Sequence, residues 1–386
     1  MKEEAHALAE QLVEWRRSFH RQPELGFQEY QTSRQVAQVL EELGWRVKTG
    51  VGRTGVVAER GYGEPVIAIR ADMDALPIQE ANDVPYGSQV EGVMHACGHD
   101  AHTAMLLGVA VLLSRQRLPG TVRLLFQPSE EAADEEGLSG APRMIQDGAM
   151  QGVSQVLALH VDPAMPVGCV QIGSGAASGG VDSFFASIIG KSGHGAYPHE
   201  TVDPIYLAAH VILALHGIVS RRLDPLAPAV VSIGSLHGGT AENIIPDRID
   251  CSGTIRFMQP AVQQQIHSQI KQAFKVACTL GGDYELRFET GSQPMYNHPQ
   301  AVDLLEQAAE KVIGIQNILP PVPTLGAEDF GDFSALAPGA MFSLGCRIEG
   351  DERMLHNANF DINEACLPIG TAILAQAVVD YLHSDR

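Results

Sequence analysis

The sequence predicts an α/β fold interrupted by a second, α+β domain. Three observations predict it. At 386 residues the chain exceeds what one hydrophobic core usually covers. Both of its ends alternate helical periods with short apolar strands, the pattern of an open sheet flanked by helices. Between residues 182 and 291 the order changes to β-α-β-β-α-β, the split βαβ or ferredoxin-like unit. Domains are therefore expected at 1–181 together with 292–386, and at 182–291.

Residues 3–19 repeat apolar positions at Ala7, Leu8, Leu12, Val13 and Trp15 with a helical period, and Pro23 ends the segment. Arg16, Arg17 and His20 read as charged tips of a half-buried helix. A second helix is expected over 28–43, closed by Gly44. Strand-like runs follow. The last of them, PVIAIRADMDALP, has a nearly continuous apolar core at 66–69 and reads as a buried central strand. It ends in Asp72 and Asp74, which share a face if extended and lie where open α/β sheets place chemistry.

The stretch MHACGHDAH, 94–102, gathers Cys97, His95, His99, His102 and Asp100 just before a helix-like run, TAMLLGVAVLL. Gly98 and the preceding loop place Cys97 and His99 at a helix entrance, where the positive dipole end favours a thiolate. Thiolate beside neutral imidazole suits zinc, nickel or iron.

A strand at 121–126 leaves its sheet at Pro128 and is followed by Glu130 and Glu131. Adjacent carboxylates on a regular strand point apart, but at a strand end both can turn into one cleft. In a metal hydrolase one such Glu binds metal and the other takes a proton from water. The strand at 156–159 ends the same way, in His160.

The middle of the chain opens with a strand and a Gly-rich exit, VDSFFASIIGKSGHGAYPH, then a long helix starting at Asp203–Pro204. Two strands separated by GTAENIIPD, a second helix and the strand YELRFET complete the inserted unit. The α/β pattern then returns with a helix at 299–313, the loop LGAEDFGDFS, the strand AMFSLG, and LHNANFDIN carrying His356 before a last helix at 367–382. Cys97, His99, Glu131, His160 and His356 supply five candidate ligands, enough for two divalent ions sharing a thiolate bridge. Glu130 then remains as general base, and later as general acid to a leaving amine.

Other classes are disfavoured. A net charge of −20 repels phosphate backbones and anionic membrane surfaces. The 6 cysteines are scattered, which suggests reduced, intracellular thiols. The opening MKEEAHALAEQLVEWRRSFH lacks the apolar core of a signal peptide, and no run of about 18 apolar residues is evident to span a bilayer. A soluble, cytoplasmic protein is expected.

With these motifs in place, the chain resembles the amidohydrolases related to dinuclear zinc carboxypeptidases and aminoacylases. Within them it is most similar to the branch of hippurate hydrolase, N-acyl-amino-acid deacylases and auxin–amino-acid conjugate hydrolases. The resemblance runs along the whole chain, through RRSFHRQPELGFQE, RADMDALP, HACGHDAH, FQPSEE, LHVDP, GKSGHGAYPHETVDP, GGTAENIIPD, GAEDF and LHNANFD. It implies a central mixed sheet flanked by helices, zinc-exopeptidase-like, with an inserted lid and dimerisation domain.

It also implies that Cys97 bridges two divalent ions, with His99, Glu131, His160 and His356 as the other ligands and Glu130 as catalytic base. The broader family usually has a metal-binding His where Asp72 stands and a bridging Asp where Cys97 stands. The departure leaves the ions open among zinc, manganese and nickel. Asp74, which the pattern retains, is implied to orient a ligand. His194, in the GHGAYPH turn, is implied to donate to the developing oxyanion from the second subunit of a homodimer or higher homo-oligomer. Asn243 and Arg256 match positions that bind the substrate carboxylate or amide. Without the resemblance, Asn243 reads as a turn residue and Arg256 as a surface charge. His102, His199 and Glu328 receive no role.

The expected activity is hydrolysis of the amide of a small-molecule N-acyl amino acid. A dipeptidase or carboxypeptidase on the same chemistry is the alternative. A binding protein with a relic site is the third possibility, against which the complete ligand set argues.

Overall fold

A computed structural model describes residues 1–350 and 352–384. The chain forms two compact units. One comprises Met1–Ala177, Tyr296–Val322 and the chain from Asp329 onward; the other comprises Ser178–Met295 and Pro323–Glu328. The second unit thus extends beyond the 182–291 read from sequence, and takes in a separate segment from the loop before the last strand.

The first unit carries an eight-stranded mixed sheet. Its strand order is Arg46–Val51, Gly55–Gly61, Thr121–Gln127, Val66–Asp72, Gln155–Asp162, Gly339–Gly345, Val170–Gln171 and Ile318–Leu319. The four strands from Thr121–Gln127 to Gly339–Gly345 run parallel to one another, with antiparallel neighbours on either side. Parallel strands of this kind are covered on both faces, and Ile67, Ala68, Ile69, Leu124, Phe126, Val156 and Leu157 are all fully buried. In register, Asp72 lies opposite Gln127, and Gly345 opposite Asp162. The chain therefore leaves four adjacent strands at one edge, the carboxyl edge where such sheets bind ligands.

The helix His99–Ser114 packs on the strand Val66–Asp72 and against the helices Ala9–Arg21 and Leu367–His383. Every residue from His99 to Leu113 is buried, as a helix apolar on all sides requires. It begins at Gly98, whose φ is 89°; a Cβ there would stand 2.3 Å from Val161 Cγ2. Only glycine meets both conditions.

Arg16 and His20 are not helix tips, as sequence reading suggested, but are completely buried. Arg16 donates from Nε to Asp100 Oδ2 (2.8 Å), from Nη2 to Asp361 Oδ1 (2.8 Å) and from Nη1 to Glu364 Oε1 (3.2 Å). His20 Nδ1 lies 2.7 Å from the same Asp100 oxygen. The period of Leu12, Arg16 and Phe19 does place Arg16 inward. Its partner carboxylates, however, are 84 to 348 positions away, which local pattern cannot reveal. Arg16→Met leaves Asp100 and Asp361 buried without their cation. Thermal and urea denaturation should show a loss of about 3–5 kcal/mol. An unchanged melting curve would remove the claim that this network holds the fold.

The second unit is a four-stranded antiparallel sheet in the order Asp283–Thr290, Gly180–Ile189, Arg248–Phe257 and Ala229–His237. This is the ferredoxin-like order. The helices Pro204–Arg222 and Pro260–Thr279 cover one face, burying Phe184, Ile188, Leu207, Val211, Ile255 and Phe274. Asp203 caps the first helix by accepting from the Ile205 N–H at 2.9 Å, with Pro204 following it.

Two helices, Pro204–Arg222 and Glu364–His383, are long and apolar enough to cross a membrane by length and composition, which sequence reading did not anticipate. In the second, 67 % of the apolar window is buried inside the protein; in the first, Leu207, Val211, Leu215 and Ile218 line the core of the sheet.

Candidate metal centre

Cys97 lies at the centre of the cleft above the carboxyl edge of the parallel strands. Its Sγ is 3.4 Å from His160 Nε2 and 3.3 Å from His356 Nε2. Two donor groups share this sulfur. One is Cys97, His99 and His160; the other is Cys97, Glu131 and His356; within each, the ligand atoms lie within 4.8 Å of one another. Two donors held about 2.0–2.3 Å from one ion stand roughly 3.3–3.8 Å apart across a tetrahedron. The sulfur–nitrogen distances fit that edge. His99 Nε2 is buried and has no hydrogen-bond partner among the described residues, with Asp72 Oδ2 at 3.6 Å, an arrangement a cation would satisfy. The donor set thus fits two divalent ions.

Each imidazole is aimed by its other nitrogen or its backbone. His99 Nδ1–H faces the main-chain oxygen of Asp74 at 3.0 Å and its Oδ1 at 3.1 Å. His160 Nδ1–H donates to the Val161 carbonyl at 2.8 Å. These bonds fix the tautomer and leave Nε2 with its lone pair toward the cleft. His160 lies within the strand Gln155–Asp162 rather than beyond it. His356 adopts a left-handed φ of 60°, its N–H donates to the Ala96 carbonyl at 2.8 Å, and its Nε2 reaches Glu131 Oε1 at 2.9 Å.

The paired glutamates are turned by one residue. Pro128 ends the strand, and Ser129 then takes a φ of 44°, uncommon for a residue with a side chain and costing about 1–3 kcal/mol. After that turn, Glu130 and Glu131 both bring a carboxylate oxygen within 4.8 Å of a His99 ring nitrogen. Asp74 Oδ2 accepts the Glu131 N–H at 3.0 Å. Asp74 therefore grips one candidate ligand by its ring and another by its backbone.

Burial pushes the Cys97 thiol well above its ordinary value, and the charges of Glu131 and Glu130 add to this. Burial opposes protonation of His99, yet the Asp72 and Cys97 charges raise it well above the usual histidine value. Glu131 is lowered despite burial by His356 and His99. Divalent charge among these donors favours thiolate and neutral imidazole, the forms that bind.

Asp72 and Asp74, which sequence reading placed on one face, serve different ends. Asp72 accepts from Arg70 Nη1 at 2.6 Å and from His102 Nδ1 at 2.6 Å. Burial opposes ionisation, but Arg70, His99 and His102 hold its carboxyl well below the usual range. His102 was left without a role by sequence reading. Its Nε2 accepts the Val161 N–H at 3.0 Å, so it struts Asp72 to the backbone beside His160, and burial lowers it to about 4.

In the second unit, the ribbon of Gly193–His194 against Ile244–Ile245 brings His194 beside Asn243. The Asn243 carbonyl accepts the Gly195 N–H at 2.8 Å, and His194 Nδ1 accepts the Ala196 N–H at 3.0 Å. Arg256 stands on the strand Arg248–Phe257 with Nη1 bonded to Thr254 Oγ1. His199 is 72 % exposed next to Glu200.

A family model described as peptidase family M20/M25/M40 matches residues 68–380. Thermostable carboxypeptidase 2 of Saccharolobus solfataricus is 38 % identical over 100 % of this chain and 98 % of its own length. The N-acetyl-L-cysteine deacetylase of Bacillus subtilis is 36 % identical over 98 % of this chain and 90 % of its own. The crystal structure of Bacillus subtilis YXEP, titled a dinuclear metal binding peptidase from the M20 family, superposes with a TM-score of 0.85 at 33 % identity. It covers 98 % of this chain and 100 % of that one.

Proposed function

Since the chain belongs to peptidase family M20/M25/M40 and is a metal-dependent hydrolase with donors for two divalent ions, we propose that it cleaves the amide bond of N-acyl amino acids. The observation that carries this reading is the pair of donor groups sharing Cys97, with Glu130 beside them. In this reading Cys97, His99, His160, Glu131 and His356 would hold two zinc, manganese or nickel ions, with Cys97 common to both donor groups. Bound there, the ions polarise the amide carbonyl and acidify water.

The protein's own groups do the rest. Glu130 takes a proton from the water that attacks the carbonyl carbon. As the C–N bond breaks, it returns that proton to the leaving nitrogen, releasing a carboxylic acid and a free amino acid. Asp74 keeps the His99 ring in place. His194 donates to the developing oxyanion, and loss of such a donor costs about 10²–10³ in turnover. The guanidinium fork of Arg256 suits the substrate carboxylate, with Asn243 on the amide.

Delivery of His194 from a second subunit requires a homodimer or higher homo-oligomer. The exposed Ile205, Tyr206 and Leu213 on the helix Pro204–Arg222, at 51, 55 and 72 %, support such an assembly.

The similarity to a carboxypeptidase supports a second reading, a peptidase acting on free-amine peptides with the same machinery. Parallel kcat/KM measurements on N-acetyl and N-benzoyl amino acids and on matching dipeptides separate the two. An uncharged acyl pocket leaves a substrate ammonium unpaired, so acyl amino acids should be favoured by about tenfold or more. Equal rates would give the site to the peptidase reading.

A further inference from the structure

Glu29 stands just ahead of the helix Tyr30–Glu42 and is completely buried. It takes no part in the donor groups. Its Oε1 accepts the Ser129 N–H at 2.8 Å, and its Oε2 accepts the Thr54 hydroxyl at 2.5 Å. Ser129 is the left-handed residue immediately before the glutamate pair. Its other atoms are held too: the Ser129 carbonyl accepts the Gly140 N–H at 2.8 Å, and its hydroxyl donates to the Ala132 carbonyl at 2.9 Å. Gly26 closes over it, since a Cβ there would lie 2.3 Å from Ser129 Oγ. The amide that precedes Glu130 thus depends on a side chain 100 positions earlier in the chain.

We propose that Glu29 is a positioning residue for Glu130, its carboxyl group anchoring the Ser129 amide and so holding the turn that faces Glu130 into the cleft. This rests on the assignment of Glu130 as the base. The adjacent ligand is anchored separately, because the Glu131 N–H goes to Asp74 and not to Glu29. Removing Glu29 therefore loosens the base while the cation-binding groups keep their own support. Burial and the nearby Asp74 charge push the Glu29 carboxyl up to about 7, so a neutral isostere is not foreign to this pocket.

The test measures kcat, KM and bound metal for Glu29→Ala, Glu29→Gln, Glu130→Ala and the Glu29→Ala/Glu130→Ala double variant. The substrate is N-acetyl-L-methionine or whichever compound of the panel above turns over fastest. Glu29→Ala should lower kcat by about 10–100-fold, the usual effect of removing a group that orients a reacting one. KM and two ions per subunit should be kept, and Glu29→Gln should recover most of the loss. In the Glu130→Ala background, Glu29→Ala should cost nothing further, because a residue that acts through the base has nothing left to position.

If Glu29→Ala does not fold, Thr54→Val, which removes the hydroxyl that holds Glu29, should lower kcat in the same direction by a smaller factor. A lowered melting temperature with unchanged kcat overturns the proposal, as does an equal loss in the two backgrounds. Full turnover in Glu130→Ala alone removes the assignment beneath it, and the proposal with it.

Discussion

Glu130→Gln is expected to lower turnover by about 10²–10⁴-fold while the protein keeps two ions per subunit. The expectation follows from where the Ser129 turn puts the two neighbouring carboxylates. Glu131 is grouped with Cys97 and His356, whereas Glu130, which stands beside His99 as Glu131 also does, belongs to neither group that contains Cys97. Glutamine keeps the size of the side chain and removes its ability to take a proton, so a charge-transfer role and a space-filling role separate cleanly. Steady-state kinetics with metal analysis of the same preparation gives the answer. Wild-type turnover would end the mechanism, and loss of an ion would make Glu130 a ligand instead.

Cys97→Ala carries the other large effect. Its sulfur belongs to both donor groups, so one substitution reduces each triad to a pair. Removing a group that merely orients a ligand costs about 10–100-fold in affinity, and removing the shared donor should exceed that. Chelator competition should show at least one ion lost and hydrolysis lost with it. Cys97→Asp offers two hard oxygens in place of a soft sulfur. It should hold ions again, with preference moved away from the softer metals. Two tightly bound ions in the alanine variant would show that the thiol bridges nothing.

Much of this cleft was legible before any coordinates. Short apolar runs end in Asp72, in Glu130 and Glu131, and in or near His160, and a parallel sheet gathers such ends by construction. Candidate ligands such as Cys97, His99 and His160 could be picked out because strand ends and helix entrances are local features. His356, in an irregular stretch, carries no such mark, and the family resemblance supports its place among them. What joins them was not legible. Arg16 reads as a surface charge until Asp100, Asp361 and Glu364 are seen around it. His102 is one more polar residue in an apolar helix until Asp72 and the Val161 amide appear at its two nitrogens. Glu29 reads as one more charged residue at the start of the expected helix, and only the fold brings Ser129 to it. The left-handed backbone at Ser129 leaves no trace in residue type, since a serine there looks like any other. Partners far apart along the chain satisfy one another without either carrying a local signature.

The order of strands in the large sheet bears on how this protein is made. The strand Gly339–Gly345 lies between Gln155–Asp162 and Val170–Gln171, although it is the last strand of the sheet to leave the ribosome. Until then, a nascent chain carries an open, hydrogen-bond-hungry edge beside His160, and His356 has not yet been translated. Premature termination anywhere before residue 345 therefore yields a product that exposes this edge and lacks one of the proposed donors, a natural client for chaperones and proteases.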